Sequence, residues 1–193
     1  YTLVAVADYV LSKTPGNTVS NLSSTRALRD VTNNHNGSYE ASAVGEVNVV
    51  DKMKATNAII GGEGNGGVIY PEMHYGRDAL IGVALFLTQL AERKISAKTL
   101  RDSYPNYFIS KNKIQLTPEI DVDAILTTLE EKYKNEQITT IDGLKIDFQE
   151  GWVHLRKSNT EPIIRVYAEA ESMEAAKALG DRFKAELLAL LEA

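Results

Sequence analysis

From Tyr1 to Ile60, helix-like and strand-like runs take turns, an order that leaves few folds open. Residues 2–11 contain no breaker and read as a helix that stops before Pro15-Gly16, and residues 18–23 read as a short strand. A second helix, capped by Ser24 or Thr25 with Leu28 and Val31 inward, is expected to fray through Asn33, Asn34, Asn36 and Gly37. Residues 39–44 suit a second strand, 47–53 an amphipathic helix, and Ala58-Ile59-Ile60 a buried strand ending at Gly61-Gly62. Strand followed by helix, repeated, is the signature of an α/β layer with parallel strands. In such layers ligands gather where strands end and loops begin, and residues 61–67 lie at such an end.

Arg77-Asp78 opens a further helix over residues 79–92. Its apolar positions Leu80, Val83, Ala84, Leu87 and Leu90/Ala91 recur at helical spacing and are expected inward. Ser96 caps a turn through Leu100, and residues 104–109 and 113–116 read as extended segments leaving the layer. Beyond a border at Thr117-Pro118 the order changes. A helix from Asp121 to Tyr133 is followed by strands at 138–141, 144–148, 151–155 and 163–168, with turns at Asp142-Gly143 and Glu150-Gly151. A last helix begins near Ser172, with Ala175, Ala178, Leu179, Phe183, Leu187 and Leu190 inward. The expected architecture is therefore α/β: a parallel-type mixed sheet layer domain over residues 1–116. It is followed by a smaller α+β domain over 117–193, with an antiparallel sheet packed by helices.

Composition narrows the partners. A net charge of −5, from 21 basic and 26 acidic residues, argues against nucleic acid as the main partner, although it leaves room for one small phosphate site. The chain has no cysteine, which excludes disulfides and thiolate metal sites. No apolar run approaches the roughly 20 residues of a membrane span, and the N-terminus lacks the basic region of a signal peptide, so no membrane partner and a cytoplasmic location are expected. The first residue is Tyr rather than Met, which points to a piece of a longer chain.

Two stretches carry chemistry. Arg156-Lys157-Ser158-Asn159-Thr160-Glu161-Pro162-Ile163-Ile164-Arg165 sets hydroxyls, an amide and backbone N–H groups between two strand-like runs and two arginines. Guanidinium forks, hydroxyls and free N–H groups together suit a phosphate, and by composition they equally suit an ordinary hairpin loop. Gly61-Gly62-Glu63-Gly64-Asn65-Gly66-Gly67 places one carboxylate among residues without bulk, where a sugar can approach the backbone and give Glu63 two hydroxyls, or where a plain surface turn can form.

The ordered string Arg-x-Ser-Asn-Thr-Glu-Pro-x-x-Arg resembles the phosphate-binding loop of the α-D-phosphohexomutases, the family of phosphoglucomutase, phosphomannomutase and phosphoglucosamine mutase. Its sugar loop is usually written Gly-Glu-x-Ser-Gly-His. Here Gly62 and Glu63 match, Asn65 stands for the serine and Gly67 for the histidine. A branch with Gly-Glu-x-Asn-Gly-Gly followed by an Arg-Asp like Arg77-Asp78 fits better. Losing the histidine means that no imidazole role carries over, and His74 is a nearby candidate substitute. Val44-Gly45-Glu46 resembles the family's Val-Gly turn. Glu46 itself reads as a first-turn helix residue rather than a catalytic one, and His35 and His154 read as structural or solvated.

The resemblance implies that the chain is the C-terminal half of a four-domain enzyme, a phosphotransferase-type isomerase, with the phosphorylated serine and the Mg²⁺ ligands in the missing N-terminal domains 1 and 2. No Thr-Ala-Ser-His-Asn-Pro or Asp-x-Asp-x-Asp-Arg occurs here. The implied partners are a hexose phosphate and a hexose bisphosphate. Gly62, Glu63 and Asn65 would read sugar hydroxyls, and Arg156, Ser158, Asn159, Thr160 and Arg165 would hold the non-reacting phosphate. Arg77 and Asp78 are further candidates to face substrate. The two loops would line opposite walls of one cleft, with a hinge over residues 116–119 closing it, and the chain alone would be inactive. A freestanding sugar-phosphate-binding module, or an α/β interaction domain without a small ligand, are the competing readings. The residues favour no one hexose; the Gly-Glu-Gly-Asn-Gly-Gly branch mildly favours glucosamine phosphate.

Overall fold

Helix α1 (Thr2–Lys13) buries Leu3, Val4, Ala5, Val6, Ala7, Val10 and Leu11, so apolar side chains cover most of its circumference and it sits inside the first unit. In the computed structural model, which describes residues 1–116, 121–158 and 160–191, the chain divides into units of residues 1–106 and 107–193. The first unit continues with β1 (Asn17–Asn21), α2 (Ala27–Asn34), β2 (Tyr39–Ser42), α3 (Glu46–Thr56), β3 (Ala58–Glu63), β4 (Gly67–Ile69), α4 (Ala79–Arg93) and α5 (Ala97–Asp102). Its sheet runs β2-β1-β3-β4. The first three strands are parallel, as the strand–helix alternation requires, and β4 closes the edge antiparallel. Val19, Val49, Met53, Ala58 and Ile69 form the buried cluster where this sheet meets α3.

Three expectations for this unit are corrected. β3 does not end at its glycines but runs through them to Glu63, because β4 folds back and pairs with Gly61, Gly62 and Glu63. Ser24 does not cap α2, whose first residue follows Arg26. Its hydroxyl instead accepts from Gly64 N at 2.8 Å. The stripe foreseen as the inner face of α4 points outward: Leu80, Val83 and Leu87 are exposed, by 82%, 55% and 56%. α4 buries Gly82 and Gln89 and half-buries Ile81, Leu85, Phe86 and Leu90. This helix is apolar on more than one face, so spacing alone does not choose the side. A small residue that lets the backbone approach Val68, and a glutamine with polar partners, decide it.

Those partners centre on Asp8. Its Oδ2 accepts from Tyr104 OH at 2.8 Å, Arg93 Nη2 at 2.9 Å and Gln89 Nε2 at 3.1 Å, and its Oδ1 lies 2.8 Å from His35 Nε2. One carboxylate thus ties α1 to α2, α4 and the segment after α5. Burial pushes the Asp8 carboxyl up, but the His35 and Tyr104 hydrogen bonds and the Arg93 charge outweigh it and hold it below its ordinary range.

The second unit comprises β5 (Phe108–Gln115), α6 (Val122–Lys132), β6 (Gln137–Thr139), β7 (Leu144–Asp147), β8 (Gly151–Lys157), β9 (Ile163–Ala170) and α7 (Met173–Leu191). Its sheet is antiparallel throughout, in the order β5-β9-β8-β7-β6. Ile114, Leu144, Ile146, Val153, Leu155, Ile164, Val166 and Ala168 form its core with Leu126, Leu129, Phe183 and Leu187 of the two helices. Burial of each of the larger side chains contributes on the order of 1.5–3 kcal/mol.

The border expected at 116/117 lies instead at 106/107. β5 pairs with β9 over its whole length, so the extended segment belongs to the second sheet. Thr117 and Pro118, and the expected hinge beyond Leu116, lie outside the described residues. In α7 the inward face is Ala176, Leu179, Gly180, Phe183 and Leu187, whereas Ala175 and Ala178 are exposed. Alanines are too small to mark a face by themselves.

His154 on β8 is buried, with Nε2 2.7 Å from the Asp142 carbonyl oxygen. Burial pushes its imidazole down to about 4, against the pull of that bond. Unfolded histidine protonates near 6.5, so between about pH 6.5 and 4 the unfolded state binds the extra proton. This unit is therefore fully stabilised above that window and loses on the order of 3 kcal/mol as pH falls through it. Urea midpoints followed by Trp152 fluorescence from about pH 7 to 5 should fall more steeply in the parent than in His154→Gln. In the first unit, Asp8→Ala leaves Gln89, Arg93, Tyr104 and His35 without their common acceptor and should cost about 3 kcal/mol, read as a lowered urea midpoint.

Candidate functional site

The glycine stretch is a hairpin, β3 into β4, with Gly66 N donating to Glu63 O at 3.1 Å. Gly62 has φ 153°, and a Cβ there would lie 1.9 Å from Gly67 O, so only glycine lets the two strands meet. Glu63 at the end of β3 is buried to 6% exposure. Its Oε1 accepts from Asn21 Nδ2 at 2.7 Å. Asn21 Oδ1 in turn accepts from Ser24 Oγ at 2.8 Å, and the same Oγ takes Gly64 N. This relay from β1 across to the turn holds the carboxylate in place. Asn65 uses its Oδ1 on Gly67 N at 3.0 Å, a local turn bond that sets the amide at the rim.

Arg77 and Asp78 return beside β4: Ile69 bridges Arg77, and Asp78 N donates to Val68 O at 2.9 Å. Their fates differ. Asp78 caps α4, its Oδ1 accepting from Leu80 N at 2.8 Å and Ile81 N at 3.0 Å while Oδ2 lies 3.2 Å from His74 Nε2. Arg77 crosses toward the glycine loop. Its backbone N and Nε donate to the two oxygens of Glu46 at 2.9 and 2.7 Å, and Nη1 stands 3.7 Å from Glu63 Oε2. Those two Arg77 bonds, the backbone one first, hold the Glu46 carboxyl below its ordinary range. Glu46 is the first residue of α3, as expected, and also the anchor of Arg77. Arg77, Glu46, Asn65 and Gly67 border an open cleft of about 610 Å³.

In the second unit, residues 158–162 join β8 to β9, closed by Ser158 N donating to Ile163 O at 2.9 Å. Ser158 is buried and its Oγ lies 3.5 Å from Thr160 Oγ1 and 3.4 Å from Thr160 N. Arg156 and Arg165 are direct register partners across β8 and β9. Opposite residues of an antiparallel pair share a face, so the two guanidiniums lie on one side of the sheet, away from Ile164 and Val166. A carboxylate lies near each: Arg156 Nε is 3.7 Å from Asp142 Oδ2, and Arg165 Nη2 donates to Glu161 Oε2 at 3.1 Å. Arg165 Nε is buried without a hydrogen-bond partner among the described residues. Asn159 lies outside the described residues.

Some members of these clusters escaped the sequence reading. Lys113 pairs with Arg165 from β5, which makes a row Lys113–Arg165–Arg156 on one face, and only the strand register shows it. Asn21 and Ser24 belong to the Glu63 relay but read locally as strand and cap residues. No group of three or more His, Asp or Glu able to hold a metal ion occurs among the described residues.

Residues 1–107 match the family described as phosphoglucomutase/phosphomannomutase, alpha/beta/alpha domain III, and residues 113–186 match phosphoglucomutase/phosphomannomutase, C-terminal domain. A phosphoglucosamine/phosphogalactosamine mutase of Sulfurisphaera tokodaii is 36% identical over 168 residues, covering 86% of this chain and 37% of the relative. A phosphoglucomutase/phosphomannomutase of Thermococcus kodakarensis is 36% identical over 179 residues, covering 91% of this chain and 39% of the relative. The crystal structure of a phosphoglucomutase/phosphomannomutase family protein from Burkholderia thailandensis superposes with a TM-score of 0.78 at 26% identity, covering 97% of this chain and 41% of that one. The chain thus spans about two fifths of the length of the curated relatives it matches. Two consecutive domain matches, relatives 36% identical over most of the chain and a shared fold establish that this chain belongs to the α-D-phosphohexomutase family and corresponds to its C-terminal half.

Proposed function

We propose that this chain is the hexose-phosphate-binding half of a phosphohexomutase that moves a phosphoryl group between the 1 and 6 positions of a hexose. The observation that carries the reading is the cross-strand pair Arg156–Arg165 beside the Ser158 and Thr160 hydroxyls. Like charges set opposite each other on a sheet destabilise it unless an anion lies between them. With Lys113 in the same row, three cations face the two carboxylates of Asp142 and Glu161, an excess suited to a phosphate. The phosphate that is not reacting would take the guanidinium forks of Arg156 and Arg165, with Ser158, Thr160 and Asn159 completing its shell. Glu63 and Asn65 would read sugar hydroxyls.

In the whole enzyme a phosphoserine gives its phosphoryl group to the hexose phosphate. The bisphosphate turns over in place, and the other phosphate returns to the serine. Serine and Mg²⁺ ligands are proposed to lie outside this chain; the described residues here do not fit a metal, and no step is assigned to one. What this half contributes is position and charge, which are the main terms in phosphoryl transfer.

Calorimetric titration of the chain with glucose 1,6-bisphosphate tests the reading. A charge-assisted hydrogen bond contributes about 1.5–3 kcal/mol, so Arg156→Ala and Arg165→Ala should each weaken binding by roughly 10- to 100-fold. Ser158→Ala, which removes a neutral donor, should weaken it by less, about 2- to 10-fold. Binding that is unchanged in both arginine variants would exclude the phosphate site. The intact gene product should interconvert hexose 1- and 6-phosphates, and the chain alone should not.

A further inference from the structure

Gly67 has no side chain, and the stem of Arg77 occupies the space that one would fill. A Cβ at position 67 would lie 2.7 Å from Arg77 Cδ and 3.2 Å from Cγ. A residue ten positions later thus supplies bulk and charge where Gly67 itself has neither. Arg77 is also aimed. Glu46 takes its backbone N and its Nε with separate oxygens, at 2.9 and 2.7 Å, which removes two of its donors from competition and fixes the plane of the guanidinium. The remaining head faces Glu63 at an Nη1–Oε2 distance of 3.7 Å, on the border of the cleft that Asn65 shares.

That distance is too long for a direct hydrogen bond, yet one oxygen set between the two groups can lie about 2.8 Å from each. A sugar hydroxyl fits both demands: its oxygen accepts from the guanidinium while its proton goes to the carboxylate. A phosphate does not fit, since Glu63 and Glu46 would repel it. We propose that Arg77 contacts substrate and, jointly with Glu63, reads one sugar hydroxyl, and that Glu46 is the positioning residue that aims it. The assignment rests on the hexose-phosphate reading above and adds a side chain to its sugar loop.

The test uses the intact gene product and a panel of monodeoxy hexose phosphates, with kcat and KM measured separately. The parent should discriminate against one deoxy analogue by about tenfold or more in kcat/KM, since the buried Glu63 carboxylate and the half-exposed guanidinium then lose their shared partner. Arg77→Met should erase discrimination at that hydroxyl alone and leave the other analogues ranked as before. Gly67→Ala, whose methyl displaces the Arg77 stem, should reproduce the same change. Glu46→Ala should weaken discrimination in the parent and add nothing in the Arg77→Met background. If Arg77→Met does not fold, Arg77→Gln replaces it with the same expected loss. An arginine that serves structure alone would lower the melting temperature and leave the ranking of analogues untouched, which overturns the proposal. Glu63→Ala separates the two levels. If it erases discrimination while the Arg77 variants do not, the arginine assignment fails and the sugar-loop reading stands. If neither alters the ranking, the sugar-loop reading fails as well.

Discussion

The contact on which the first unit's site depends is the approach of the Gly62 backbone to the carbonyl of Gly67, closer than any side chain permits. Because position 62 carries no Cβ, β4 can fold back on β3 and extend the parallel sheet by one antiparallel edge. That edge gives Asp78 N a carbonyl to bond, so the chain before α4 returns along β4 and carries Arg77 to the hairpin. Glu63 is then locked from behind by Asn21 and Ser24, and faced from the front by Arg77. A backbone constraint thus determines where three charged side chains meet.

The second unit reaches its site by another route, in which alternation along two paired strands brings the arginines together. Ile164 and Val166 must face α6 and α7 for the core to close, which sends Arg165 to the opposite face, where the register brings it level with Arg156. Hydrophobic burial therefore imposes a repulsion between like charges on the far face. Asp142 and Glu161 relieve it in part, leaving a surplus of positive charge in the row that includes Lys113.

Much of this was legible in the sequence, and the lapses share a cause. The strand–helix alternation and the helix–meander–helix order follow from periodicity and turn residues, and the element order agrees with them. The side on which α4 packs does not follow, because Leu80, Val83 and Leu87 form as good a stripe as the face that is buried, and the choice depends on Gln89 reaching Asp8. Likewise β5 could be read as extended, but its membership of the second sheet lies in its partner β9. For the site, the loop residues were visible as composition. The pairing of Arg165 with Arg156, the grip of Glu46 on Arg77 and the relay through Asn21 are tertiary facts between residues 9 to 42 positions apart in sequence, and no local pattern announces them.

The crossing of Arg77 over Gly67 also couples two positions ten residues apart. A Cβ at 67 would meet the Arg77 stem at 2.7 Å, so any side chain added there forces that stem to move. Changes at 67 and 77 are therefore not independent, and the effect of either one depends on what occupies the other.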